Sequence, residues 1–310
     1  MGSVLSIFLL MFLLPLVQDN QQGRSKNRAE PERPSPTESG NESTAPLLET
    51  GSAANLRSDV KPVAEVKVLS YNIRWRGGDD LLKLIQLFRD DREIGNASLM
   101  ALQEVDRQKK RTKNINTVKQ IADALGVYYA WAAPPPANGG KEEETGVALL
   151  SIYPLSDIHR IVLPNKGPNQ RRRVALGATV RLSGIATRVY SVHSETRIPL
   201  DKKLQQMEAV LEDLSQYPKT MPVIILGDLN TWEVNAGKRT TKLFTDAGFR
   251  TPFGNQTTFF RRVFFLPIEL RLDWVWLRGL EPKDHGIDRA ISISDHFPLW
   301  TTLRLPTASQ

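Results

Sequence analysis

The sequence predicts an α/β fold, α+β in its segment order, built as a layered sandwich. Three observations predict it. Short segments that alternate every two residues, or are wholly apolar, outnumber the helical ones. Segments with helical spacing lie between them without regular alternation, which fits packed sheets better than a barrel of repeating units. The 310 residues, 40% hydrophobic and 24% charged, supply apolar side chains for one large core or two small ones.

The elements follow in order. VKVLSYNI (66–73) alternates as a strand, and DDLLKLIQLF (79–88) has helical spacing. SLMALQEVD (98–106) reads as a strand ending in two acids, and NTVKQIADALG (116–126) as a helix stopped by glycine. GVALLS (146–151) is a buried strand. RRVALGATVRL (172–182) and TRVYSVHSE (187–195) pair as a hairpin through Ser183-Gly184. KKLQQMEAVLEDL (202–214) is an amphipathic helix, and PVIILGDLN (222–230) an apolar strand that stops in polar residues. LRLDWVWLRG (270–279) carries Asp273 within a strand, and a last strand follows ISDHFPLW (293–300).

Three regions are expected. Residues 4–17, VLSIFLLMFLLPLV, are apolar without interruption. The run is short of the ~20 residues of a membrane span but fits the core of an export signal. Two features are atypical of such a signal: no Lys or Arg precedes it and no small-x-small cleavage site follows. On its apolar run, residues 1–17 are expected to export the chain or anchor it in a membrane, with the folded domain outside the cytoplasm. Residues 18–60 are polar and Pro-rich and are expected to form a disordered linker. Residues 61–310 hold the folded domain, which is expected to act as a monomer.

Charge and cysteine content bound the chemistry. The first 60 residues carry five Lys/Arg and seven Asp/Glu, leaving 36 and 27 for the rest. That basic balance suits an anionic substrate or surface. The chain has no cysteine, which excludes disulfides, thiolate zinc sites and cysteine nucleophiles. Any bound metal must rely on carboxylates, amides and four histidines, a donor set for hard cations.

Strand after strand ends in an acid, an amide or a histidine: Asn72, Glu104, His193, Asp228 with Asn230, Asp273, and Asp295 with His296. Each has a structural explanation singly, as a cap, a turn or a pair. Together they point to one site where strand ends converge.

The ordered segments SYNIRW, LQEVD, SVHSE, LGDLNTW, LDWVW and SDHFP, spanning residues 64–305, resemble the endonuclease/exonuclease/phosphatase superfamily. Its members include deoxyribonuclease, AP endonucleases, neutral sphingomyelinases and inositol-phosphate 5-phosphatases. The resemblance implies a four-layered sandwich of two packed mixed β-sheets flanked by helices. It also implies a phosphoesterase that hydrolyses phosphodiester bonds by activated-water attack, with Mg2+ or Mn2+ as cofactor. By the same resemblance Glu104 is the main metal ligand, with Asn72 nearby and Asp295 serving the metal or the water. Asp228 is the base or water-orienting group, and Asn230 donates to a phosphate oxygen. His296 contacts the phosphoryl group, oriented by Asp273. His193 is a candidate general acid at the leaving oxygen. Glu144 resembles the acid that partners this histidine, and Arg172 or Arg173, with Arg173 preferred, a phosphate-contacting arginine.

The substrate stays open. A phospholipid head group and a nucleic acid both fit, the second as a secreted or periplasmic DNA/RNA endonuclease. The non-enzyme alternative is an inactive binding module of the same fold. AP-endonuclease chemistry is disfavoured by His193 and by the expected export. The segment TTFFRRVFFLPIEL (257–270) sets four phenylalanines about Arg261 and Arg262. It is either a core strand pair or an apolar-basic loop suited to membrane contact.

Overall fold

The computed structural model describes residues 47–57, 63–136, 145–168 and 170–305. Fourteen strands and four α-helices lie among the described residues. The strands are β1 (Leu48–Ser52), β2 (Glu65–Asn72), β3 (Leu99–Asp106), β4 (Tyr128–Ala132), β5 (Thr145–Ser151), β6 (Leu155–Val162) and β7 (Val174–Leu182). There follow β8 (Ile185–His193), β9 (Val223–Asp228), β10 (Phe259–Val263), β11 (Leu266–Leu270), β12 (Asp273–Arg278), β13 (Glu281–Ile287) and β14 (Leu299–Arg304). The helices are α1 (Gly78–Asp90), α2 (Thr117–Leu125), α3 (Leu200–Leu214) and α4 (Ala236–Asp246).

The strands form a seven-stranded sheet, β1-β4-β5-β3-β2-β14-β13, and a five-stranded sheet, β12-β9-β8-β7-β6. Val68, Leu99, Ala101 and Leu149 from the first meet Leu176, Val189, Leu226 and Val275 from the second in a shared core. Leu84, Phe88, Val118 and Ile121 of α1 and α2 pack with Leu69 and Leu102 in a second cluster. Leu204, Met207 and Val210 of α3, with Phe244 of α4, pack with Ile225, Trp274 and Trp276 in a third. The result is the four-layered sandwich that the family resemblance implies. Local sequence explains the boundaries. Asn116 caps α2 by accepting the Lys119 N–H, and Gly126 ends it at φ 68.

Each sheet contains a parallel pair, β2 with β3 and β8 with β9. The other pairings are antiparallel. Gly227 permits the close approach of β8 to β9, because a Cβ there would collide with the Val192 carbonyl.

Strand β1 corrects the expected linker. Leu48–Ser52 fall inside the stretch 18–60, yet they extend the larger sheet along β4. Glu49 accepts hydrogen bonds from Asn116 Nδ2 at 2.7 Å, Arg107 Nη1 at 2.9 Å and Tyr129 OH at 2.9 Å. LETGS carries no apolar period of its own; pairing with β4, the packing of Leu48 and these side chains order it. Chain contacts accordingly group Pro46–Gln310 into one body, fifteen residues earlier than expected. The apolar run 4–17 and residues 18–46 lie outside the described residues. No helix among the described residues is long and apolar enough to cross a membrane.

The segment 257–270 is a strand pair with buried flanks and an exposed tip. It forms the hairpin β10–β11, with Phe259, Val263 and Ile268 buried and Phe264 and Phe265 exposed.

Candidate active site

Strand register gathers the candidate residues. His193 is paired with Asp228 across β8 and β9, and Asp228 with Asp273 across β9 and β12. Three polar side chains thus stand abreast at one end of the smaller sheet. In the larger sheet Asn72 ends β2 opposite Gln103. Glu104 follows at a β-bulge between Gln103 and Val105, with φ 56. A left-handed non-glycine residue costs about 1–3 kcal/mol, and bulges re-aim side chains. The bulge leaves the Glu104 carboxylate beside Asn72 and His193. Asp295 and His296 enter on the turn before β14.

The two sheets meet through these groups. Asn72 Nδ2 donates to Asp228 Oδ2 at 3.0 Å and more weakly to Glu104 Oε1 at 3.4 Å. His193 Nε2 lies 3.6 Å from Asp228 Oδ2 and 3.9 Å from Glu104 Oε1. His296 Nδ1 lies 2.8 Å from Asp273 Oδ2, and its Nε2 lies 3.8 Å from Asp228 Oδ2. Asn230, at φ 51, donates its amide to the Ser194 carbonyl and receives Lys203 Nζ on its own carbonyl at 2.6 Å.

The buried charges sort themselves. For His296, burial opposes the cation, but Asp273, Asp228 and Asp295 outweigh it and raise its pKa to about 10. Burial pushes Asp228 up to about 7, helped by Asp273 and Glu104 and opposed by His296 and Asn72. Burial holds His193 well below its ordinary value, and Arg173, Arg171 and His296 add to this. At neutral pH His296 is therefore the imidazolium and His193 the neutral ring.

A metal site can be judged on its donor atoms. Glu104 Oε2 and Asp273 Oδ1 are buried without a hydrogen-bond partner. A buried carboxylate oxygen left so is costly unless a cation meets it. Asp228, Asp273 and His296 each offer an atom within 4.8 Å of the others. His296 is a poor ligand while protonated, which makes the Glu104 side the better fit for a hard divalent ion. Asn72 departs from a ligand's geometry, because its Oδ1 accepts the Arg74 N–H at 3.0 Å and its Nδ2 faces the carboxylates. As placed, it orients the acids. Asp295 forms an ion pair with Arg74 at 3.1 Å.

Two other expectations land elsewhere. Arg173 Nε donates to the buried Glu195 at 3.1 Å, so the phosphate-contacting candidate is itself held by an acid. Glu144 lies outside the described residues. Sequence reading passed over Thr258, whose hydroxyl donates to Asp273 Oδ2 at 2.8 Å and receives the Leu272 and Asp273 N–H groups. It also passed over Ser294, which donates to the Asn72 carbonyl at 2.8 Å. Neither terminates an apolar strand; Ser294 opens the SDHFP segment but was given no role, and nothing in the sequence ties Thr258 to Asp273.

Residues 69–296 match the model of the Endonuclease/Exonuclease/phosphatase family. The chain belongs to that family. Its members are hydrolytic phosphoesterases. No curated protein sequence matches the chain. Among solved structures, a family member from Leptotrichia buccalis superposes with TM-score 0.60 at 16% identity, over 77% of this chain and 100% of the other. D. rerio TDP2 complexed with single strand DNA product gives TM-score 0.60 at 14% identity, over 78% and 100%. ANGEL2, a 2',3'-cyclic phosphatase in complex with adenosine-2',3'-vanadate, gives 0.55 at 15%, over 78% and 96%. At these identities the likeness shows the fold alone.

Proposed function

We propose that this chain is a divalent-metal-dependent phosphodiesterase that hydrolyses its substrate by activated-water attack. One observation carries the proposal. A carboxylate with a pKa raised to about 7, Asp228, faces an imidazolium, His296, across 3.8 Å, beside the unpartnered Glu104 oxygen. A base poised near neutral pH next to a held proton suits general acid–base hydrolysis. Asp228 accepts a proton from the attacking water. The phosphorus–oxygen bond to the leaving group breaks, and an imidazole returns a proton to that oxygen. His296 is charged at neutral pH and can supply the proton or meet the phosphoryl charge; His193, neutral, offers an N–H hydrogen bond. Asn72 keeps Asp228 and Glu104 aligned. A divalent ion held by Glu104, Mg2+ or Mn2+, would supply charge neutralisation at the phosphate.

Nuclease activity is the second reading. The basic balance after residue 60 favours it, as does the likeness to a TDP2 crystallised with single strand DNA product. A panel with the full-length chain tests both: bis-p-nitrophenyl phosphate, plasmid DNA, sphingomyelin and inositol phosphates, each with magnesium or manganese. Turnover of the simple diester supports the phosphodiesterase reading, and no turnover on any member leaves the inactive binding module. The apolar run 4–17 supports an exported or membrane-anchored location. Cell fractionation checks this; recovery of the chain in the cytosol would overturn it.

A further inference from the structure

The hairpin β10–β11 belongs to neither large sheet. Its base is fixed to the catalytic turn. The Phe259 ring meets the His296 ring edge-on at 5.0 Å. Phe260 N–H donates to the Asp295 carbonyl at 2.8 Å, and Phe297 N–H to the Thr258 carbonyl at 2.7 Å. The strands close at the pair Val263–Leu266, leaving Phe264 and Phe265 as the two-residue turn.

That turn has unusual occupants. Phe264 has φ 53, a left-handed conformation that hairpin turns normally give to glycine or asparagine. Phe264 is 87% exposed, Phe265 83% and Leu266 51%. Three adjacent large apolar side chains therefore project into water from a strained turn. Neither local stability nor solubility favours this, so the tip is shaped for a partner. The partner's chemistry follows from the flanks. Arg261 and Arg262 stand just below the tip, and no acid occurs from Thr258 to Ile268. Apolar side chains at the apex with cations one step behind match a layer of acyl chains beneath anionic headgroups. The projecting tip does not offer the groove or flat patch of a typical protein interface. Five-residue strands, at about 3.3 Å per residue, give the tip a reach of roughly 15 Å from the catalytic edge.

We propose that the β10–β11 hairpin is an interfacial anchor whose Phe264-Phe265-Leu266 tip enters an anionic lipid surface, with Arg261 and Arg262 at the headgroups. The catalytic edge is then held at that surface. Drawing substrate from the surface rests on the phosphodiesterase reading; insertion itself does not.

The absence of cysteine makes a site-specific test direct. Full-length Phe265→Cys, labelled with an environment-sensitive thiol dye, is mixed with phosphatidylcholine vesicles with or without phosphatidylglycerol, or with duplex DNA. The same dye at Lys219→Cys, at the far end of β9 from Asp228, reports whole-chain adsorption. The expected result is a blue shift at position 265 on phosphatidylglycerol vesicles, a smaller one on neutral vesicles, and none at 219 or with DNA. In the labelled protein, adding Phe264→Ser should remove most of the blue shift at position 265, from the apolar area lost, and Phe264→Ser/Phe265→Ser should leave Tm unchanged. No shift on vesicles overturns the proposal, and so does a shift with DNA alone, which would make the tip a nucleic-acid wedge. A large fall in Tm of the serine variant overturns it too, by placing those rings in the core. None of these readouts uses turnover, so failure of the anchor is separable from failure of the phosphodiesterase reading.

Discussion

Asp273 Oδ2 is shared: it lies 2.8 Å from His296 Nδ1 and accepts the Thr258 hydroxyl at 2.8 Å. The carboxylate is thereby fixed in the rotamer that holds the imidazolium. Thr258→Val should lower kcat about tenfold or more with little change in KM, because the ring loses its orientation. It should also lose about 1–3 kcal/mol of stability, since the Leu272 and Asp273 N–H groups lose their acceptor. Thr258→Ser restores the hydroxyl and should recover both. Kinetics and thermal melts of the two variants check this; a Val variant with normal kcat would remove Thr258 from the site.

Asp228→Asn and His296→Ala should each lower turnover by ~10²–10⁴-fold, the usual contribution of a positioned acid–base group. The Asn variant keeps an acceptor for Asn72 and should fold normally. Near-normal turnover of either folded variant contradicts the assignment.

Chelation should abolish activity, and magnesium or manganese should restore it. Binding also has a structural readout, because a cation at Glu104 neutralises crowded carboxylates. A saturating metal at ~100 times its Kd should add about 2.7 kcal/mol of stability. The rise in Tm should vanish in Glu104→Gln. Equal metal-induced stabilisation of both proteins would place the ion elsewhere.

Glu195 gives a pH dependence of stability. Burial alone would raise its pKa, but Arg173, the Arg197 N–H and Arg171 outweigh this and hold it below the ordinary 4.5. Its folded pKa is below the unfolded one, so its stabilising effect is complete above pH 4.5 and fades as pH falls through the folded value. Denaturant melts of Glu195→Gln and the wild type should differ most at neutral pH and converge on acidification. A gap that widens below pH 4.5 would reverse the sign.

The main strands were legible because their side chains carry the pattern. VIILGD and LMALQEVD announce both a buried strand and its polar end, and with them most of the site. Strand β1 was not legible, since its order comes from β4 and from Arg107, Asn116 and Tyr129, whose sequence distance conceals them. Roles were harder to read than positions. The resemblance pairs Asp273 with His296; only the fold adds Asp228 on its other side and reveals that the acids keep it charged, while two arginines help keep His193 neutral. The Arg173–Glu195 pair was hidden for the same reason: charge runs do not name their partners.

The hydrogen bond from Asn72 to Asp228 joins residues 156 positions apart, one from each sheet. Asp273 of β12 and His296, on the turn before β14, make a second link. Neither sheet carries the whole site alone. In refolding, each sheet can regain its backbone pairing separately, but turnover waits for the two to close on each other. Recovered activity therefore times a single late event, sheet-on-sheet docking, and should lag the recovery of far-ultraviolet circular dichroism.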